Sequence, residues 1–262
     1  MSRYASGQLT GTVLIVALVP AISGALYGYD TGIISGALLR ITKDFGIAAG
    51  WKQVIAASIL LGAVIGALVC SYLSDRRGRR TTLVMLAAVF VVGALWCALA
   101  PNPVLLSLGR VVLGFAVGGA TQTAPIYVAE LAPKKYRGRL VLCFQIAIGV
   151  GILIATVVGA SESIPWRWAI GVAAVPGAVM LGLLLRLPES PRWLVKRGDL
   201  DTAHHMLERT RPAGYDVAEE LGEMAQLALA EQTASARGWA GLRERWVRPA
   251  LILGCGIAVF TQ

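Results

Sequence analysis

Long apolar stretches separated by short clusters of charge dominate the chain. Uncharged runs cover Tyr4–Tyr29, Val54–Ser74, Thr81–Gly109, Val111–Ala129, Leu140–Ser161 and Trp168–Leu185. A bilayer core takes about 20 mostly apolar residues per helix, so each run reads as a membrane span. The third run is interrupted by Ala100-Pro101-Asn102-Pro103. Two prolines so close together stop one helix and start another, which places a turn there and a fourth helix from about Val104 to Leu131. The first helix continues through Asp30 to about Leu39. Six spans result.

A seventh apolar run, from Pro249 to Gln262, has 14 residues and is too short to cross. It reads as the start of a seventh helix, cut short. The polar segment between carries two helical patterns, Asp199–Arg209 and Val217–Glu231, with Asp201 as an N-cap and a turn at Pro212-Ala213-Gly214. The expected organisation is therefore all-α. Residues 1–187 form an N-terminal six-helix transmembrane bundle, 188–248 a cytoplasmic linker with short amphipathic helices, and 249–262 the beginning of a truncated helix 7.

Composition supports this reading and changes the meaning of the charge. Hydrophobic residues make up 56% and charged residues 15%, against about a quarter charged in ordinary soluble domains. The net charge of +9 would point to nucleic acid on a soluble chain. Here the cations sort by side. With the N-terminus inside, the two short inner loops hold eight: Arg76, Arg77, Arg79, Arg80, Lys134, Lys135, Arg137 and Arg139. All outer segments together hold four: Arg40, Lys43, Lys52 and Arg167. That is the positive-inside pattern of a multi-pass cell (inner) membrane protein with a cytoplasmic N-terminus, and it removes the case for nucleic acid. No secretory signal peptide is evident, because the first span is too long and lacks a cleavage site.

Candidate chemistry is sparse. Cys70, Cys97, Cys143 and Cys255 lie singly in predicted helices and read as small packing residues, while His204 and His205 read as a surface pair. No metal site, cofactor site or nucleophile–base motif emerges in the spans, so an enzyme is the weakest class. Asp30 and Arg110 are the exceptions, because a charge within a span is costly and marks function or pairing. At 1.5 Å per residue, Asp30 lies about 12 Å and Arg110 about 9 Å from the outer ends of helices 1 and 4, so the two reach one layer. Burial favours a protonated carboxyl and a nearby guanidinium an ionised one, so a movable Arg110 would let Asp30 take up and release a proton. A purely structural pair is the alternative.

Glycines repeat every four residues at 24, 28, 32 and 36 on helix 1, at 62 and 66 on helix 2, and at 114 and 118 on helix 4. Such stripes let backbones approach closely. On helix 1 the stripe flanks Tyr27 and Asp30, which suggests a deformable helix.

Four segments then fall in a telling order. Gly28-Tyr29-Asp30-Thr31-Gly32 lies in span 1, and Asp75-Arg76-Arg77-Gly78-Arg79-Arg80 follows span 2. Pro125-Ile126-Tyr127-Val128-Ala129-Glu130-Leu131-Ala132-Pro133 leads to Arg137-Gly138-Arg139 after span 4, and Pro188-Glu189-Ser190-Pro191-Arg192-Trp193 follows span 6. In this combination the chain resembles the sugar porter branch of the major facilitator superfamily, over the first half of that fold only.

The resemblance implies a two-bundle transporter whose C-terminal six-helix bundle is missing here, with a monosaccharide or polyol and protons as the transported species. Asp30 and Arg110 match the proton-coupling pair. Tyr27 matches an aromatic lining the sugar pocket, and Gln145 a helix 5 glutamine that hydrogen-bonds sugar hydroxyls. Gln262 matches one of two paired helix 7 glutamines, the other being replaced by Thr261. Asp75, Arg79, Arg80, Glu130, Arg137, Glu189 and Arg192 match a cytoplasmic ion-pair network that closes the inner gate. A second helix 5 glutamine of some sugar symporters is Ile152 here, which leaves the sugar open. Counting depth from Leu140 puts Gln145 too near the cytosol for such a site, so helix 5 is expected to begin earlier. Proton-coupled symport is the first expectation, with a facilitative uniporter, or a transport-inactive truncated remnant, as the alternatives.

Overall fold

The computed structural model describes residues 11–133, 136–161, 163–211 and 215–235, together with 249, 252 and 253. Ten helices are assigned: α1 Gly11–Phe45, α2 Ala49–Arg77, α3 Arg79–Leu99, α4 Pro103–Leu131, α5 Arg137–Ala160, α6 Trp166–Gly171, α7 Ala174–Arg186, α8 Pro191–Lys196, α9 Leu200–Thr210 and α10 Val217–Ser235. Among the described residues there is no strand. α2, α3, α4, α5 and the combined α6–α7 stretch (Trp166–Arg186) are each long and apolar enough to cross a bilayer. With the 35-residue α1 they form an all-α six-helix bundle.

Local chemistry sets the boundaries. α4 starts as the proline pair requires: Asn102 caps it by accepting from the Leu105 N–H at 2.8 Å, and Pro103 occupies the first turn, where a missing N–H costs nothing. α2 and α3 are separated by one residue, Gly78, whose φ of +97° an L side chain would resist. Helix 5 begins at Arg137, three residues before Leu140, which moves Gln145 deeper into the span. The N-cap of α9 is Asp199, not Asp201: its carboxylate accepts from Thr202 N at 3.1 Å, while Asp201 lies in the first turn. The 212–214 turn, Cys255 and Gln262 lie outside the residues described, and of the expected start of helix 7 only residues 249, 252 and 253 are described, all helical.

Packing is organised by the glycine stripes. α1 lies along α5 with matching register: a Cβ added to Gly24 would meet the Phe144 carbonyl oxygen at 2.3 Å, and one on Gly28 the Ile148 carbonyl oxygen at 2.0 Å. α2 lies along α4 in the same way. Added Cβ atoms on Gly62 and Gly66 would meet the carbonyl oxygens of Val111 and Phe115, and those on Gly114 and Gly118 the carbonyl oxygens of Ile59 and Ala63. α1 is continuous across its glycines, so the stripe serves close contact with α5 rather than a bend. The interior is aliphatic and aromatic, with Leu83, Leu106, Leu113, Tyr127 and Leu184 at 1% exposure or less.

The two ends differ. At the end with the 160–166 turn, Arg40 donates to the carbonyls of Ser161 (2.9 Å), Gly159 (2.5 Å) and Ile164, closing the last turn of α5. Arg167 similarly reaches the carbonyls of Ala98 and Ala100 at the end of α3, at 3.2 and 2.7 Å, lying over the Phe45 and Trp166 rings. Helix C-termini leave carbonyls unpaired and carry partial negative charge, so these cations act as caps. At the opposite end α8, α9 and α10 pack around their own small core of Leu194, Val195, Ala203, Leu207, Met224 and Ala228.

Candidate functional site: a buried ion pair and a charged end

Asp30 on α1 and Arg110 on α4 face each other in the interior, exposed by only 3% and 1%. Arg110 Nη1 lies 3.8 Å from Asp30 Oδ1, an ion-pair separation too long for a hydrogen bond. Arg110 Nε instead donates to the Ile55 carbonyl on α2 at 2.9 Å, an oxygen that also accepts from Ser58 Oγ at 2.9 Å. Asp30 Oδ2 and Arg110 Nη1 have no hydrogen-bond partner. The guanidinium is thus anchored on one helix pair while its second face addresses a carboxylate on the other. The neighbouring Tyr29 hydroxyl donates to Ala169 O at 2.6 Å and ties α1 to α6.

Tyr27 and Gln145 lie beside this pair in depth. Gly24 opposes Phe144 and Gly28 opposes Ile148, so Gln145 stands level with Ala25 on the α1–α5 seam; Tyr27 is less than one turn from Asp30 along α1, and Gln145 between one and two turns. Tyr27 is half-buried and Gln145 exposed. Among the described residues neither side chain is hydrogen-bonded, so the amide keeps its donors and acceptors for another molecule. Gln262 lies outside the described residues and takes no part in this geometry.

At the charged end the seven expected residues divide. Arg79 is 6% exposed; its Nη2 lies 2.9 Å from Asp75 Oδ1, its Nε 3.1 Å from Glu130 Oε2, and its Nη1 donates to Ser74 O at 3.0 Å. Ser190 Oγ donates to the same Glu130 oxygen at 2.5 Å. Among the described residues Glu189 meets no guanidinium; its carboxylate accepts from the backbone N–H groups of Arg80 (2.9 Å), Thr81 (3.4 Å) and Ser190 (3.0 Å). It fits there because Gly78 has no side chain: an added Cβ would sit 2.3 Å from Glu189 Oε2. Arg80 donates to the carbonyls of Leu184 and Leu185 at 2.9 and 2.8 Å. Arg137 and Arg192 are not joined to these acids.

Five contributors had no role in the sequence reading: Tyr127, Ser190, Trp193, Arg211 and Glu220. The Tyr127 hydroxyl donates to Pro188 O at 2.6 Å, and Trp193 Nε1 to Asp75 O at 2.9 Å. Arg211 binds Glu220 through both nitrogens of its fork (2.8 and 2.7 Å) and caps α4 at Leu131 O (2.8 Å). Tyr127, Ser190 and Trp193 lie inside the quoted motifs, which was their signal. Arg211–Glu220 has none beyond two opposite charges in a polar segment.

The comparisons with known proteins fit this geometry. A family model described as "Sugar (and other) transporter" matches residues 16–262. The chain is 41% identical over 246 residues to the D-xylose transporter of Levilactobacillus brevis, covering 92% of this chain and 53% of that protein. It is 36% identical over 250 residues to the galactose-proton symporter of Escherichia coli K12, covering 94% and 53%. Among solved structures it is similar to the proton:xylose symporter XylE bound to 6-bromo-6-deoxy-D-glucose, at a TM-score of 0.77 and 27% identity, covering 86% of this chain and 55% of that one. The chain spans about half the length of these relatives.

Proposed function

The chain belongs to the sugar transporter family, and on that premise we propose that it is the N-terminal half of a proton-coupled importer of a monosaccharide or polyol. The observation that carries the reading is the buried Asp30–Arg110 pair, 3.8 Å apart and not hydrogen-bonded, within one turn of Tyr27 and within two of Gln145. A sugar offers hydroxyls that both donate and accept, and a face of C–H bonds. A free amide answers the first and a phenol ring the second. Within the bundle, Arg110 already has a second acceptor at Ile55 O, so it can keep one hydrogen bond while Asp30 changes protonation.

Transport proceeds by alternating access against a second six-helix bundle. The end bearing α8–α10 is cytoplasmic, since the loop cations gather there. There the contacts of Asp75, Arg79, Arg80, Glu130, Glu189 and Ser190 hold α2, α3, α4 and the start of α8 together and form this half of the inner gate. Arg137 and Arg192 stand at its edge.

The test is transport in vesicles that carry this bundle together with its partner bundle. An imposed pH gradient, acidic outside, should drive sugar accumulation, and Asp30→Asn should abolish accumulation while leaving sugar exchange intact. Gradient-driven accumulation that persists in Asp30→Asn refutes the coupling and leaves a uniporter. Absence of sugar exchange in both proteins refutes transport itself.

A further inference from the structure

One span changes its winding partway. α6 and α7 make up a single apolar stretch, Trp166–Arg186, yet the two residues between them leave the α-helical pattern. Val172 (φ −60°, ψ −25°) and Ala173 (φ −60°, ψ −22°) carry the tighter winding of a 3₁₀ turn. The cause is Pro176, four residues beyond Val172: its ring crowds the Val172 carbonyl and its nitrogen has no hydrogen to offer it. Val172 O accepts instead from Val175 N at 3.0 Å, and Ala173 N donates to Ile170 O at 3.3 Å. In a continuous α-helix Ala173 N–H would answer Ala169 O. That carbonyl is taken by the Tyr29 hydroxyl of α1, at 2.6 Å. Proline alone does not interrupt a span here, since Pro20 and Pro125 lie inside helices that run on through them. At Pro176 a side chain from another helix replaces the missing backbone donor, and such 3₁₀ stretches inside helices often act as hinges.

Tyr29 directly precedes Asp30. The Asp30 carboxyl is drawn toward Arg110 of α4, 3.8 Å away, only while it is ionised, so a change of its proton shifts α1 on α4. The phenol is rigid, and its hydroxyl follows α1. Resting on the proton-coupling reading of Asp30, we propose that Tyr29 is a positioning residue that passes this shift to span six. When its hydroxyl leaves Ala169 O, Ala173 N–H returns to that oxygen and the turn at 172–173 rewinds as α-helix. Ala169 is 1% exposed, and a buried carbonyl is not left unpaired, so one donor must replace the other. Two donors competing for one acceptor make a two-state element whose balance α1 biases. Of the helices packed on α1, α4 and α3 bring Arg110 and Cys97 to this depth, Cys97 lying against Gly109. α2, α5, α6 and α7 carry their titratable groups toward their ends. A pH response that Asp30→Asn removes therefore belongs to Asp30.

The test uses the full chain in lipid nanodiscs, isotope-labelled in its alanines and aspartates, and follows two magnetic resonances against pH: the Ala173 amide and the Asp30 carboxyl. In the wild type the Ala173 amide should shift as Asp30 takes its proton, and Asp30→Asn should hold it at the low-pH position. In Tyr29→Phe the Asp30 carboxyl should still titrate, while the Ala173 amide keeps one position at every pH and with Asp30→Asn added. Pro176→Ala lets span six wind without its turn and should likewise cut Ala173 off from Asp30; it carries the test if Tyr29→Phe does not fold. Thr31→Ala removes a hydroxyl on the other side of Asp30 that bonds within α1, to Tyr27 O, and should respond as wild type. A merely structural Tyr29 would displace the amide once and leave its pH response in place, and that result overturns the proposal. So does a wild-type Ala173 amide that ignores a titrating Asp30. An Asp30 carboxyl that does not titrate refutes the proton-coupling reading, and the proposal with it.

Discussion

Replacing Gly28 by Ala tests whether the α1–α5 seam is closed by backbone contact. A Cβ there would lie 2.0 Å from the Ile148 carbonyl oxygen, 2.8 Å from its carbon and 3.0 Å from its Cα. All three atoms are backbone, so no side chain can rotate away. Restoring ordinary contact near 3.4 Å requires the helices to part by roughly 1.4 Å at that level. A gap of 0.5–1 Å already forfeits about a quarter to a half of a dispersion well, and overpacking generally costs about 1–3 kcal/mol. Ala also gains up to about 1 kcal/mol over Gly in helix propensity, so the net loss should be about 1–2 kcal/mol. Gly149→Ala on α5 is the control, since nothing lies within 4 Å of its added Cβ. That change should be neutral or stabilise by up to about 1 kcal/mol. Unfolding in mixed micelles with increasing dodecyl sulfate, followed by tryptophan fluorescence, measures both. A difference below about 0.5 kcal/mol between the two variants would refute the backbone-contact account.

Three further outcomes follow from the same packing. Arg110→Gln leaves Asp30 buried without a cation and should destabilise the bundle by about 3 kcal/mol, whereas Asp30→Asn/Arg110→Gln should lose less; a double-mutant cycle in the same unfolding assay checks this. Gly78→Ala must hold φ near +97° and push away the Glu189 carboxylate, so it should cost at least about 1–2 kcal/mol and expose the end of α8 to protease. Cys70 and Cys97, both at 0% exposure, should resist maleimide until dodecyl sulfate is added, whereas the half-buried Cys143 should label in the folded protein; mass shifts report the difference.

Spans were legible because hydrophobicity is counted over twenty residues at a time, and that average survives local detail. The Asp30–Arg110 juxtaposition was legible for a related reason: depth along a helix is a linear count, and two charges at one depth within a bundle have few other partners. What escaped was everything set by crossing geometry. Glu189 reads as a gate acid, yet it answers three backbone N–H groups, because the chain turns at Gly78 and carries the N-terminus of α3 to it. Depth counting also depended on a boundary. Gln145 looked too shallow only while helix 5 was started at Leu140, and the three residues from Arg137 move it about 4.5 Å.

The cations expected on the outer side bear on the topology argument. Arg40 and Arg167 count against the positive-inside rule if they are treated as free charges. Neither is free: together they hold five carbonyls at the ends of α5 and α3 and in the adjoining turns. A cation spent on a helix C-terminus is partly neutralised where it stands, so it opposes the orientation less than a solvated one. The same contacts also bear on mechanism. Arg40 fastens α1 to the end of α5, and the glycine seam fastens the rest of their length, while α2 and α4 are fastened by their own seam. Asp30 and Arg110 therefore join two stiff pairs rather than two single helices. On the proposed coupling, a change of protonation at that joint would act on the angle between the pairs, since within each pair the backbones have no room to slide. Spin labels placed across α1 and α4 should accordingly report a distance change between wild type and Asp30→Asn, and labels across α1 and α5 should not. Equal changes in both would mean that the seams are not rigid.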